Sequence, residues 1–247
     1  SEDGDALLAW TMYPWTYLDN ERVPATRLSW KSFMLGEIYL GRTSTDYVLP
    51  ETWRWFAEDM EESRPAAYVR PKETSLDATT PFADYVGSEF TTVYDGNTVE
   101  LGLRESIWER LTEPGASDEP ATMPFVDESG CFRWRATVEG LEATEPFGFT
   151  FEDLDGSSET VHLSANAERA WSSSDDVEFA STPRSSDVAT LTLLVGPRSA
   201  LLVEDGMVLA AVRLDGTART TVFAPDGVEI RGGRRSSLTD LPGCINS

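Results

Sequence analysis

Two hydrophobic rhythms divide the chain. Before residue 70 the clearer one is helical: after Pro50, the positions Trp53, Phe56, Ala57 and Met60 recur at three- and four-residue spacing, which puts them on one face of a helix. Glu51 lies in its first turn, where the positive end of the helix dipole favours an acid. Pro65 stops it, and Ala66 to Val69 then reads as a buried strand. Upstream, Ala6 to Trp10 reads as a short strand, and Pro24 opens a second helix whose apolar side is Leu28, Phe33 and Met34. The pattern predicts a small α/β unit over residues 1–70. Residues 71–81 are polar and aperiodic and read as a linker.

From Phe82 the period becomes two. Phe90 to Tyr94 leads into Asp95-Gly96-Asn97, a hairpin turn signal, and Val99, Leu101 and Leu103 alternate after it. Alternation returns at Cys131 to Val138 and at Phe147, Phe149 and Phe151. It recurs at Thr160 to Leu163, at Leu191 to Val195 and at Leu201 to Val203, then at Val208 to Val212 and Thr220 to Phe223. Glu113 to Glu128 and Ser172 to Asp187 read as polar loops. Short strands at this spacing, joined by Asp-Gly turns, predict a mainly β fold with a jelly-roll β-sandwich over residues 82–247.

Composition narrows the picture. With 40% hydrophobic and 26% charged residues in 247, the chain has a globular composition. No apolar run approaches the ~20 residues that cross a bilayer, and the chain opens on Ser1, which fits a processed soluble piece of a larger protein. The net charge of −23 repels nucleic-acid phosphates and anionic lipid surfaces, so no nucleic-acid partner is expected. The only lysines are Lys31 and Lys72; an acidic, lysine-poor composition fits a GC-rich actinobacterium or a salt-loving archaeon. Cys131 and Cys244 are too far apart for a CxxC motif. In an exported domain they pair as a disulfide, and in a cytosolic one they are two buried thiols.

Chemistry-bearing residues are few. Glu152 to Glu159 clusters acids around a predicted turn, and Asp153, Asp155 and Glu159 form a set of oxygens that suits a structural calcium ion. The same acids are the nearest approach to the paired carboxylates of a glycosidase. His162 is the one histidine; it points away from Val161 and Leu163 on its strand and has no nucleophile motif around it. Trp108 and Trp171 stand beside polar loops, where an indole can stack on a sugar ring. Asn166 and Arg169 near Trp171 supply a hydrogen-bonding rim, so these four are the candidate carbohydrate-binding residues.

Two resemblances add to this reading. The order Trp10-Thr-Met-Tyr-Pro-Trp, Arg22-Val-Pro-Ala-Thr-Arg27, helix, Arg64-Pro65 and Ala66-Ala-Tyr-Val69 resembles the outward-facing segment after the last membrane span of GT-C type glycosyltransferases. That resemblance implies that Arg22 and Arg27 face the lipid-linked phosphate. It carries over no catalytic residue, because the donor-activating acids of such enzymes sit on an earlier loop. The hairpin Phe147 to Gly156 with Thr160 to Leu163, followed by Leu191 to Val195 and Leu201 to Leu209, resembles concanavalin A/laminin G-like sandwiches.

Together they imply a non-catalytic extracytoplasmic domain of a polytopic membrane glycosyltransferase, serving cell-envelope polysaccharide or glycoconjugate synthesis. Its partners would be a glycan acceptor and its own upstream transmembrane region. The competing readings are a self-contained exported glycoside hydrolase-like enzyme and a structural or adhesion module.

Overall fold

The structure, a computed structural model, describes residues 6–9, 23–27, 37–38, 42–43, 48–72, 80–112, 119–120, 126–127, 131–153, 160–174, 177–196, 198–214 and 218–238. Two compact units divide the chain, Ser1–Glu109 and Arg110–Ser247.

In the first unit, β1 (Ala6–Ala9) and β2 (Val23–Pro24) precede a small hairpin of β3 (Glu37–Ile38) and β4 (Arg42–Thr43). Then come helix α1 (Thr52–Ser63), β5 (Ala67–Pro71), helix α2 (Pro81–Glu89), β6 (Phe90–Asp95) and β7 (Val99–Arg104), and helix α3 (Glu105–Thr112) runs across the division, with Thr112 in the second unit. Sheet I has the order β2-β1-β5-β7-β6. β1 runs parallel to both β2 and β5, and β7 antiparallel to both β5 and β6. The predicted helix over residues 50–64 is α1; Phe56 and Met60 are buried as its spacing requires, while Asp59 rather than Ala57 completes the inward face. It ends where Arg64 takes a left-handed conformation (φ 40°) just before Pro65. A core of Leu8, Phe56, Met60, Tyr68, Phe82 and Val86 holds the helices on the sheet. Burying one such side chain fully is worth about 1.5–3 kcal/mol.

The structure corrects the sequence reading at three places here. Pro24 ends a strand and residues 25–27 are not helical, while the rest of the predicted helix, with Leu28, Phe33 and Met34, lies outside the described residues. α2, expected to be β, starts on the Thr80-Pro81 signature: the Thr80 hydroxyl accepts from the Ala83 amide and Pro81 occupies the first turn. The hairpin of residues 90–104 pairs with β5 and belongs to this unit, although the alternation alone assigned it to the sandwich. Hairpin chemistry specifies a turn and two strands but not the sheet they join.

The second unit contains β8 (Glu119–Pro120), β9 (Val126–Asp127), β10 (Phe132–Glu139), β11 (Phe147–Asp153), β12 (Val161–Ala165) and β13 (Arg169–Ser174). They are followed by β14 (Val177–Pro183), β15 (Val188–Val195), β16 (Ser199–Glu204), β17 (Met207–Arg213), β18 (Ala218–Phe223) and β19 (Glu229–Ser237). These form two six-stranded sheets: sheet II, ordered β17-β16-β15-β10-β19-β8, and sheet III, ordered β14-β13-β12-β11-β18-β9. All their pairings are antiparallel.

The two inner faces share one core. Phe132, Trp134, Ala136 and Val138 of β10 alternate inward against Phe147, Phe149 and Phe151 of β11. The Trp134 ring stands 5.3 Å from that of Phe149, edge to face, and 6.3 Å from that of Phe147. The predicted jelly-roll sandwich is therefore present, built on the alternation seen in the sequence. Two of its strand pairings were not legible there. Residues 172–187, read as a loop, contain the end of β13 and all of β14, and β19 is the arginine- and glycine-rich run 229–237.

Candidate functional site

Pairs directly opposite in a sheet share a face, so the register gives the outer surface of sheet III strand by strand. One row runs Phe223–Gly148–Ser164–Trp171–Ser181 across β18, β11, β12, β13 and β14. The next runs Thr221–Thr150–His162–Ser173 across the first four. Phe223, Trp171, Thr150, His162, Ser173 and Thr221 are all half-buried, open to solvent on this side.

Gly148 shapes the first row. A β-carbon there would collide with the Leu163 carbonyl oxygen and lie 2.7 Å from the Phe223 ring, so the ring lies across the space a side chain would take. Three strand spacings then separate the Phe223 and Trp171 backbones, about 14 Å. Between them the second row supplies hydroxyls and an imidazole. His162 Nδ1 is 3.1 Å from Thr150 Oγ1, and its ring meets that of Phe223 edge to face at 6.4 Å. Among the described residues His162 Nε2 has no hydrogen-bond partner, so it faces outward as a donor or acceptor according to tautomer.

Arg169 fixes Trp171. Its guanidinium lies over the indole at 4.4 Å from the ring centroid and is held by Glu178 at 2.7 Å. One indole face is thus covered by a cation. Among the described residues no other ring or cation covers the opposite face.

Asn166 has a different duty. Its Oδ1 accepts from the Glu168 and Arg169 amides at 2.9 and 2.8 Å, and its Nδ2 donates to the Ala143 carbonyl at 2.8 Å. It is 5% exposed and builds the β12–β13 turn that aims Arg169, so it is a positioning residue rather than a rim. Trp108, on α3, is also 5% exposed and presents no stacking face. Of the four residues nominated from sequence, Trp171 and Arg169 stand together at an open surface, with Asn166 behind them and Trp108 buried. Phe223, Thr150 and Glu178 were missed, because alternation shows which face a residue takes and not which strands become neighbours.

The other candidates are placed as follows. Arg27 is clasped by Asp59 of α1, whose carboxylate accepts from its Nε at 2.7 Å, its Nη2 at 2.5 Å and its backbone amide at 2.8 Å, while Thr26 Oγ1 also donates to Asp59 at 3.0 Å. That ion pair raises the Arg27 pKa, chiefly through the Asp59 hydrogen bond. Arg22 lies outside the described residues, as do Asp155, Glu159 and the side chain of Asp153. Among the described residues no group of His, Cys, Asp or Glu is placed to hold a metal ion, and no helix is long and apolar enough to cross a membrane. Cys131 is 2% exposed and is not a free thiol. Cys244 lies outside the described residues, and its pairing with Cys131 stands as a proposal.

No family model and no curated protein matches the chain. Solved structures align with it at a distance. The galectin LEC-6 of Caenorhabditis elegans aligns at 12% identity and a TM-score of 0.34, over 50% of this chain and 98% of its own. A fructosyltransferase of A. japonicus aligns at 13% identity and 0.36, over 72% of this chain and 35% of its own. The β-fructofuranosidase of Aspergillus kawachii, solved with glycerol, aligns at 13% and 0.33, over 69% and 35%. At TM-scores this low the likeness carries no argument about ligand or activity. The sandwich rests on its own sheets and shared core.

Proposed function

We propose that the sandwich is a carbohydrate-binding module whose binding surface is the outer face of sheet III. The observation that carries this reading is the pair of cross-strand rows: Phe223 and Trp171 flank a strip of hydroxyls and the His162 imidazole. A sugar ring offers an apolar C–H face and a rim of hydroxyls, and such a strip meets both at once. The span between the aromatics suits a short oligosaccharide rather than a single ring. Thr150 Oγ1 meets His162 Nδ1 at 3.1 Å, but among the described residues no carboxylate orients that imidazole; on this reading the module contributes affinity and orientation. A hydrolytic reading depends on Asp153, Asp155 and Glu159, whose side chains lie outside the described residues.

The wider context is part of the same proposal. The sequence resemblance over Trp10 to Val69 supports an acceptor-handling, extracytoplasmic portion of a lipid-phosphate-sugar-dependent membrane glycosyltransferase. Membrane spans in the reading frame upstream of Ser1 would support that context, and a frame coding for a leader and these residues alone would end it.

The binding claim is tested on the full chain with a panel of neutral oligosaccharides, followed by intrinsic fluorescence and calorimetry. Trp171→Ala is expected to weaken binding at least tenfold, about 1.4 kcal/mol, with His162→Ala weakening it less. Binding that survives both substitutions unchanged, or a folded protein that binds no neutral glycan, would sink the proposal.

A further inference from the structure

The outer face of sheet II carries a second feature, which the carbohydrate reading of sheet III does not use. β10 pairs with β19 so that Arg135 faces Arg234 and Thr137 faces Arg231, with an irregularity in register between the two pairs. Arg231 and Arg234 are three residues apart, and in a regular strand they would point to opposite faces. The extra residue in Gly232-Gly233 brings both to the outer face, beside Arg135. Gly232 has φ +65°, the left-handed region, and a β-carbon there would meet nothing within 4 Å. Glycine is therefore required by backbone conformation and not by crowding.

The result is a groove. A depression of about 350 Å³ is lined by Arg135, Thr137, Thr190, Arg231 and Arg234. Through Arg135 and Thr190 it continues into a second depression of about 260 Å³, bordered by Thr112, Thr192 and Asp205. Arg135 makes one hydrogen bond, from Nη1 to the Thr112 carbonyl at 3.3 Å, so four of its five N–H donors stay available. Thr137 and Thr190 face each other across the strands and add two hydroxyls. Arg231 is 62% exposed and meets Glu229 at 2.6 Å and Glu139 at 3.2 Å. Ion pairs this exposed are worth at most about 1 kcal/mol, so an incoming anion exchanges with them readily. Three arginines line one groove in a chain of net charge −23.

We propose that this groove is a second binding site, for an acidic oligosaccharide whose sulfate or carboxylate oxygens are taken by Arg135, Arg231 and Arg234. Guanidinium forks match such oxyanions in bidentate geometry, and the threonine hydroxyls and the length of the groove suit the sugar that carries them. For the ligand class the inference leans on the carbohydrate reading; for the site it rests on the bulge and the arginines alone.

The test follows backbone amide shifts of the whole chain during separate titrations with inorganic sulfate, a sulfated hexasaccharide and a neutral hexasaccharide. The sulfated sugar is expected to move Thr137, Thr190 and Gly232, with an affinity that falls steeply as salt rises. Arg135→Gln, which keeps a donor for the Thr112 carbonyl, should weaken it at least tenfold, and Arg234→Gln provides a second variant should the first misfold. Glu229→Gln, by releasing Arg231, should tighten it about threefold. Trp171→Ala should leave it unchanged.

Unmoved amides, or wild-type affinity in a folded arginine variant, would overturn the site. A response to sulfate alone would overturn the oligosaccharide assignment. Failure of the neutral sugar to move the outer face of sheet III would count against the proposed function only, since that surface is read from separate amides.

Discussion

Replacing Arg184 with methionine should destabilise the sandwich by about 3 kcal/mol. Arg184 immediately follows β14 at the edge of sheet III, and its side chain is 2% exposed. Its Nε and Nη2 each donate at 2.7 Å to the two carboxylate oxygens of Glu204, which ends β16 of sheet II. Its Nη1 donates to the Asn166 carbonyl, and its amide donates to the Glu168 carbonyl at 2.6 Å. One guanidinium thus joins the two sheets and braces the turn that positions Arg169.

Methionine fills similar volume but leaves the Glu204 carboxylate without its partner. Breaking a buried pair from one side costs about 3–5 kcal/mol, and the 16% exposure of the Glu204 side chain lets some water return, which selects the lower end. At about 2–4 °C per kcal/mol for a unit of this size, Tm should fall by roughly 6–12 °C. Urea unfolding followed by the fluorescence of the buried Trp134 measures it. The double variant Arg184→Met with Glu204→Leu should recover most of the loss, because no charge is then stranded. A loss under about 1 kcal/mol in the single variant, or a double variant as unstable as the single, would refute the argument.

Two further outcomes can be measured directly. Gly148→Ala should cost about 1–3 kcal/mol, because the new methyl strikes the Leu163 carbonyl and displaces the Phe223 ring, and it should weaken neutral-sugar binding as well. Denaturant titration gives the first effect and calorimetry the second; a fully stable, fully binding variant would show that the ring does not lie where the structure puts it. Tyr68 should titrate late: burial first, together with its hydrogen bond to Glu100 at 2.7 Å, pushes its phenol up to about 12 from an ordinary 10. Because the folded pKa is the higher one, the associated stability is whole below about pH 10 and is lost as pH rises toward 12. Ultraviolet difference titration against Tyr68→Phe locates that window, and a phenol ionising at its ordinary pH would contradict it.

Sequence periodicity was sufficient for the elements whose signal is local. The i, i+3, i+4 spacing around Phe56 and Met60 and the alternation of Phe147, Phe149 and Phe151 appear in the structure as an inward helix face and an inward strand face. Each side chain there is placed by the geometry of its own element. α2 was also legible, in Thr80-Pro81, but its signal is a cap and the periodicity that followed it was weak.

The remainder depended on partners distant in sequence. Residues 172–187 read as a polar loop, and β13 went unseen because it buries small residues, Ala170, Ser172 and Ser174, which carry no hydrophobic signal of their own. Nor could alternation say that Phe223 would lie across Gly148, three strands from Trp171, since that neighbourhood is set by the order of strands in sheet III.

The chain by itself determined which residues turn inward, because burial of apolar surface follows the period of each element. Only the tertiary structure decided which outward residues meet: register and strand order are long-range choices. They placed the aromatic strip on one sheet and, through a single bulge, gathered the arginines on the other.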